Sequence, residues 1–137
     1  MKVHTTNYAN AFIAVSADCP AVQGEVPPLK GEAKTVANLQ FEMICQNPYK
    51  FTSDEVLFQV YAVRKDLTPE EMEAEKIKFF SKGQPCFRAS PLPKRYGWGV
   101  HHNPEGKIAL VPCESEEYEK FLSDQSLEVI KAMKNKR

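Results

Sequence analysis

The tetrapeptide Asn103-Pro104-Glu105-Gly106 constrains the fold of this chain more than any other stretch. Asparagine in the first position, proline in the second and glycine in the fourth match the preferences of a type I turn. Residues 98–102 and 107–111 on either side are rich in aromatic and β-branched side chains, the residues that suit strands. The segment reads as a β-hairpin. An isolated hairpin is marginal in water, so the rest of the chain must supply strands or helices to cover at least one of its faces.

Those partners can be read along the sequence. Residues 12–15 form a short apolar run and are expected to be a buried strand. Residues 16–34 contain Pro20, Gly24, Pro27, Pro28 and Gly31 and are expected to be a loop. Structureless loops of that length are uncommon without a role, which makes this one a candidate lid. Thr35 can cap a helix running to Ile44, with Asn47-Pro48 ending it. Leu39, Phe41 and Met43 alternate with polar residues, which also fits a strand, but the capped start favours the helix. Thr52-Ser53-Asp54-Glu55 is a capping box, followed by Val56, Val60, Val63 and Leu67 at helical spacing. Thr68-Pro69-Glu70-Glu71 repeats the signature with proline at the first helical position, and predicts a helix through Phe80.

Residues 85–90 read as a strand and 91–97 as a loop. Ser115-Glu116-Glu117 predicts a terminal helix with Tyr118, Phe121 and Leu122 on its apolar face. A further helical turn is expected around Leu127, Ile130 and Met133, with a frayed tail over 134–137. This order predicts an α+β fold, in which a small antiparallel sheet including the 98–111 hairpin has helices packed on one side. The other face of such a sheet can meet solvent or a ligand. At 137 residues the chain is expected to be a single domain, 1–137.

Composition narrows the function classes. Hydrophobic residues make up 42% and charged residues 26%, and no run approaches the roughly 20 apolar residues of a membrane span. The formal net charge is zero, so bulk attraction to nucleic acid or to an anionic membrane is not indicated. Lys2 with the apolar residues 11–17 has the outline of a secretion signal. The apolar part is short, and Asn7, Asn10 and Asp18 interrupt it, so a first strand and a cytoplasmic protein are expected. Cys19, Cys45, Cys86 and Cys113 are widely spaced without a C-x-x-C pair, and are expected to be free thiols with no metal or cofactor attached.

Residues 82–107 concentrate the chemistry: Lys82, Arg88, Lys94, Arg95 and Lys107 stand against Glu105 alone, beside the only tryptophan of the chain. Side chains alternate along a strand. If Phe87 and Trp98 point inward, Cys86, Arg88, Gly99 and His101 share one outward sheet face. The expected function is the binding of an anionic small molecule there. Arg88, Lys94 and Arg95 would supply charge, His101 a hydrogen bond, Gly99 close backbone approach, and Tyr96 and Trp98 the walls. The arginines can instead pair with the acidic helix of Glu70, Glu71, Glu73 and Glu75. A thiol enzyme with Cys86 as nucleophile and His101 as base is an alternative, as is a homodimeric or protein-interaction module. His101 and His102 are adjacent on a strand and point to opposite faces, which argues against a shared metal ion. Stacking of single-stranded nucleic acid on Tyr96 and Trp98 is not favoured at zero net charge.

Three segments, His4-Thr5-Thr6-Asn7-Tyr8, Thr35 through Glu42 and Gln84 through His101, resemble those of an uncharacterised bacterial family of unknown function. The resemblance extends over nearly the whole chain and implies no activity and no catalytic residues.

Overall fold

The computed structural model describes residues 3–136. The described residues form an α+β fold of five helices and a four-stranded mixed sheet of order β3-β2-β1-β4. The hairpin joins β2 (Trp98–His102) to β3 (Ile108–Pro112). Its turn closes through the Gly106 N–H, which donates to the Asn103 carbonyl at 2.9 Å. The Asn103 side chain accepts from the Glu105 and Lys107 amides, and Gly106 takes the positive φ of 80° that the turn requires. β1 (Ala11–Ala14) pairs antiparallel with β2, placing Phe12 opposite His101 and Ala11 opposite His102.

α1 (Val36–Gln46) and α2 (Ser53–Arg64) start at the caps expected of Thr35 and Thr52, both formed as capping boxes, α2 ends short of the expected Leu67, and α3 (Pro69–Phe80) starts at Thr68. Segment 35–46 is therefore helix. Its apparent alternation is what remains when Leu39, Phe41 and Met43 all pack, half-buried, against the core, while the polar Gln40 is buried among them. The main core lies between the first two helices and the sheet face of Ile13 and Val100, and is closed by Phe87, Leu92 and Ile108.

Three sequence expectations are corrected. Residues 85–90 are not a strand: Phe87–Ala89 is a 3-10 turn, and Pro91–Arg95 is a short helix, α4, in place of the expected loop. The physical reason is the pair Ser90-Pro91. The Ser90 hydroxyl accepts from the Leu92 amide, and proline is preset for the first helical position. The second correction lies after α5 (Glu116–Ser123), where Glu128–Lys131 is a strand, β4, parallel to β1. The Asp124 carboxylate accepts both the amide and the hydroxyl of Ser126, which turns the chain out of helix. Val129 and Ile130 then suit the open edge of β1.

The third correction concerns the tail. The Asp18 carboxylate accepts the Asn135 and Lys136 amides and the Asn135 side chain, so this end is pinned rather than frayed. Together with the Ser16 hydroxyl, these donors hold the Asp18 carboxyl well below the usual carboxylate range. Arg137, like Lys2, lies outside the described residues.

The sheet is also covered on both faces. α1, α2 and α4 lie on the Ile13 face. α5 lies on the other, where Phe12 packs edge-on to Tyr118 and against Phe121, both at 5.2 Å between ring centres.

The amino-terminal segment is fastened to the start of α2. The Asp54 carboxylate accepts the Thr5 hydroxyl, the Thr6 amide and the Thr6 hydroxyl at 2.6–2.7 Å, while the Asn7 side chain accepts the Asp54 amide. Hydrogen bonds to a charged group contribute about 1.5–3 kcal/mol each, and here they share one acceptor. Asp54→Ala is expected to destabilise the fold by about 2–3 kcal/mol in urea unfolding, with fast amide exchange at Thr6. A variant of unchanged stability would show the clasp to be dispensable.

Candidate functional site

Two adjoining hollows lie along α1. The smaller, about 270 Å³, is walled by the start of α1, by the 16–34 loop and by α4. Lys30 enters it from the loop, Lys94 and Arg95 from the last turn of α4, and Tyr96 closes it. The capping of α4 sets the direction of its two cations. Asn135 then fixes that helix from outside: its side-chain amide donates to the Lys94 carbonyl at 2.8 Å, and its oxygen accepts the Arg95 Nε at 3.2 Å. The rest of the Arg95 guanidinium stays exposed. α1 is the one long helix with no acidic residue in its first turn; α2, α3 and α5 each carry two or more there. The positive end of α1 thus adds to the charge of the cleft rather than being offset.

The larger hollow, about 660 Å³, is in the size range of small-molecule sites. It meets the first at Val36, Ala89 and Pro91, which line both. Leu57, Val60 and Phe79 give it apolar walls. α1 and α2 are joined by a short connection and run antiparallel, so the start of α1 and the end of α2 lie at the same end of the pair. Arg64 and Lys65 therefore enter the larger hollow at the end nearest the basic cleft, whereas Leu57 and Cys86 lie toward the other. Among the described residues, no carboxylate lines either hollow and none of these five cations forms an ion pair.

Gln40 is the polar feature of the larger hollow. It is only 3% exposed, and its side-chain oxygen accepts the Ser90 hydroxyl at 2.6 Å. The amide nitrogen makes no hydrogen bond to the described residues and is not fully enclosed, and Gln40 lines the hollow. At the far end Cys86 Sγ lies 3.4 Å from the Tyr8 hydroxyl. That contact, with burial, pushes the Tyr8 hydroxyl up to about 12, so it stays protonated at neutral pH.

The structure brings together Lys94, Arg95 and Tyr96 of the residues expected from sequence, and places the others elsewhere. Arg88 clasps β4: its Nε donates to the Lys131 carbonyl at 2.9 Å, and its own carbonyl accepts the Met133 amide at 2.8 Å. Neither Arg88 nor Arg95 pairs with the acidic residues of α3 among the described residues. Trp98 donates from Nε1 to the Glu25 carbonyl and packs on Phe41, so it anchors the 16–34 loop. Gly99 faces the Phe12 ring and has no open space beside it. His101 stacks on Phe121 at 4.1 Å, and its Nδ1 is 2.9 Å from the Tyr49 hydroxyl; burial pushes its pKa down. That is the α5 face of the sheet, whereas Cys86 lies on the opposite side, so the two do not form a dyad.

Lys30, Gln40, Arg64 and Lys65 were not legible as site residues. Only Gln40 carried a signal, as a polar residue inside an apolar stretch with a helix cap at the right distance. Among the described residues, no helix is long and apolar enough to cross a membrane. No curated protein and no solved structure matches the chain. Residues 3–137 match the family of unknown function DUF6157, and by that match the chain belongs to it.

Proposed function

We propose that this is a cytoplasmic ligand-binding protein that takes an anionic small molecule in the basic cleft of Lys30, Lys94, Arg95 and Tyr96. The observation that carries the reading is the convergence of three cations, from a loop and from α4, on one hollow with no carboxylate in its lining. Like charges brought together without counter-charges repel one another, and an anion relieves that repulsion. Arg95 is suited to grip a phosphate or carboxylate through its free guanidinium nitrogens, with the lysines as point charges. The uncompensated start of α1 strengthens the same preference. Four unpaired cysteines suit a reducing compartment.

A thermal-shift titration with inorganic phosphate tests the reading. A ligand at 100 times its dissociation constant adds about 2.7 kcal/mol to stability. The expected result is a rise in melting temperature for wild type and for Lys76→Ala on the exposed face of α3, and none for Arg95→Ala. A rise of equal size in Arg95→Ala would remove the site.

A further inference from the structure

We infer that the 660 Å³ hollow holds the apolar body of the same ligand, so that the molecule bound is an amphipathic anion, a flat or branched hydrocarbon body joined to a phosphate or carboxylate head. This rests on the proposed anion site and extends it.

Three observations lead there. The hollow and the basic cleft adjoin at Val36, Ala89 and Pro91, which line both. The pair is polarised: Arg64 and Lys65 stand at the end that meets Lys30, Lys94 and Arg95, while Leu57, Pro85 and Cys86 form the other end without a charge. A single ion of phosphate size fills the cleft and leaves the hollow empty of any counterpart to its apolar walls; a head-and-body ligand satisfies both.

The third observation is Gln40. The Gln40 side-chain nitrogen is not fully enclosed, so its N–H groups can reach the space of the hollow that the residue lines. Here the oxygen is committed to Ser90, and the N–H groups are left for an acceptor inside the hollow. An oxygen on the ligand near the junction of head and body, such as an ester or ether oxygen, meets that need.

Cys86 supplies the readout, because its thiol lines the far end of the hollow while Cys45 is exposed on the surface of α1. The experiment follows alkylation of each cysteine by iodoacetamide, peptide by peptide, with 2-naphthyl phosphate, inorganic phosphate or 2-naphthol present. Melting curves are recorded on the same samples. Naphthyl phosphate is expected to slow Cys86 at least tenfold without affecting Cys45. Inorganic phosphate is expected to raise the melting temperature while leaving Cys86 unprotected. Leu57→Trp, which fills the apolar end, is expected to abolish binding of naphthyl phosphate and retain that of phosphate.

If naphthyl phosphate raises the melting temperature and leaves the Cys86 rate unchanged, the hollow does not hold the body, and the anion site stands alone. The inference fails in the same way if phosphate binds and naphthyl phosphate does not. If neither phosphate shifts the melt, the anion site itself fails. Protection of Cys86 by 2-naphthol alone would then show a neutral ligand and overturn the inference.

Discussion

Gly99→Val is expected to destabilise the protein by about 3 kcal/mol or more, although valine is a far better strand residue than glycine. The two effects oppose each other, and magnitude decides between them. Strand propensity and the lower chain entropy of valine favour the variant by about 1 kcal/mol. Packing opposes it: a Cβ at this position would stand 2.5 Å from Phe12 Cζ and 3.0 Å from Tyr118 Cε2.

Phe12 has no exposed surface and lies between Tyr118 and Phe121, so its ring has nowhere to go. Tyr118 is held in turn by its hydroxyl, which accepts the Val15 amide at 2.9 Å. Overpacking of a rigid core costs about 1–3 kcal/mol and more when several groups must shift. Urea unfolding measures the difference directly. Adding Phe12→Leu to the valine variant should restore part of the loss, a coupling that a merely local backbone effect would not show. A Gly99→Val protein as stable as wild type would contradict the packing described for this face.

The second large effect is acid sensitivity through His102. This imidazole is fully buried between the sheet and the Tyr8 ring, which meets it edge-on at 5.4 Å. Its Nδ1 lies 3.2 Å from the Val100 carbonyl, which can only accept, so Nδ1 carries the proton. Nε2 is buried without a partner among the described residues. Protonating it would bury an uncompensated charge, and burial accordingly lowers the pKa from 6.5 to about 4.

The unfolded chain takes up this proton below about pH 6.5, whereas the folded one resists until about pH 4. Stability is therefore greatest at neutral pH and falls as pH drops through that window, by about 3 kcal/mol at 1.36 kcal/mol per pKa unit. His101 is shifted the same way and adds in the same sense. Asp18, held low, acts in a separate range: its stabilisation is present above the ordinary carboxylate range and is lost only in stronger acid. Urea midpoints taken between pH 7 and pH 4.5 should fall steadily for wild type and much less for His102→Gln, which donates a hydrogen bond but does not titrate. A flat wild-type profile would mean that protonated Nε2 finds an acceptor in the folded protein.

The features legible in the sequence share one property, namely that their causes are local. Helix starts at Thr35, Thr52, Thr68 and Ser115 and the Asn103–Gly106 turn are written in three or four adjacent residues, and each forms where expected. Ser90-Pro91 is a cap of the same kind, but the alternation of apolar and polar residues just before it mimics a strand and masks α4. β4 is masked for a different reason. Its pairing with β1 joins residues more than a hundred positions apart, Ala11 opposite Glu128, and nothing near Glu128 announces it.

The candidate site divides along the same line. Lys94, Arg95 and Tyr96 are neighbours in sequence and stay together. Arg88 and His101 depended on a shared sheet face. That face does not exist, because Arg88 sits in a turn beside β4 and α5 covers His101. Lys30, Gln40 and Arg64 reach the groove only through the packing of the 16–34 loop, α1 and α2.

The central claim is that an anion occupies the cleft of Lys30, Lys94 and Arg95. It is tested most directly by a phosphate titration followed in nitrogen–proton NMR spectra, reading the Arg95 Nε–H signal and the backbone amides of Val36 and Ala37 at the start of α1. The expected result is saturable shifts confined to these groups and to the amides of α4. Shifts that are linear in phosphate and spread evenly over the exposed lysines would contradict it, because they would show screening of surface charge in place of a site.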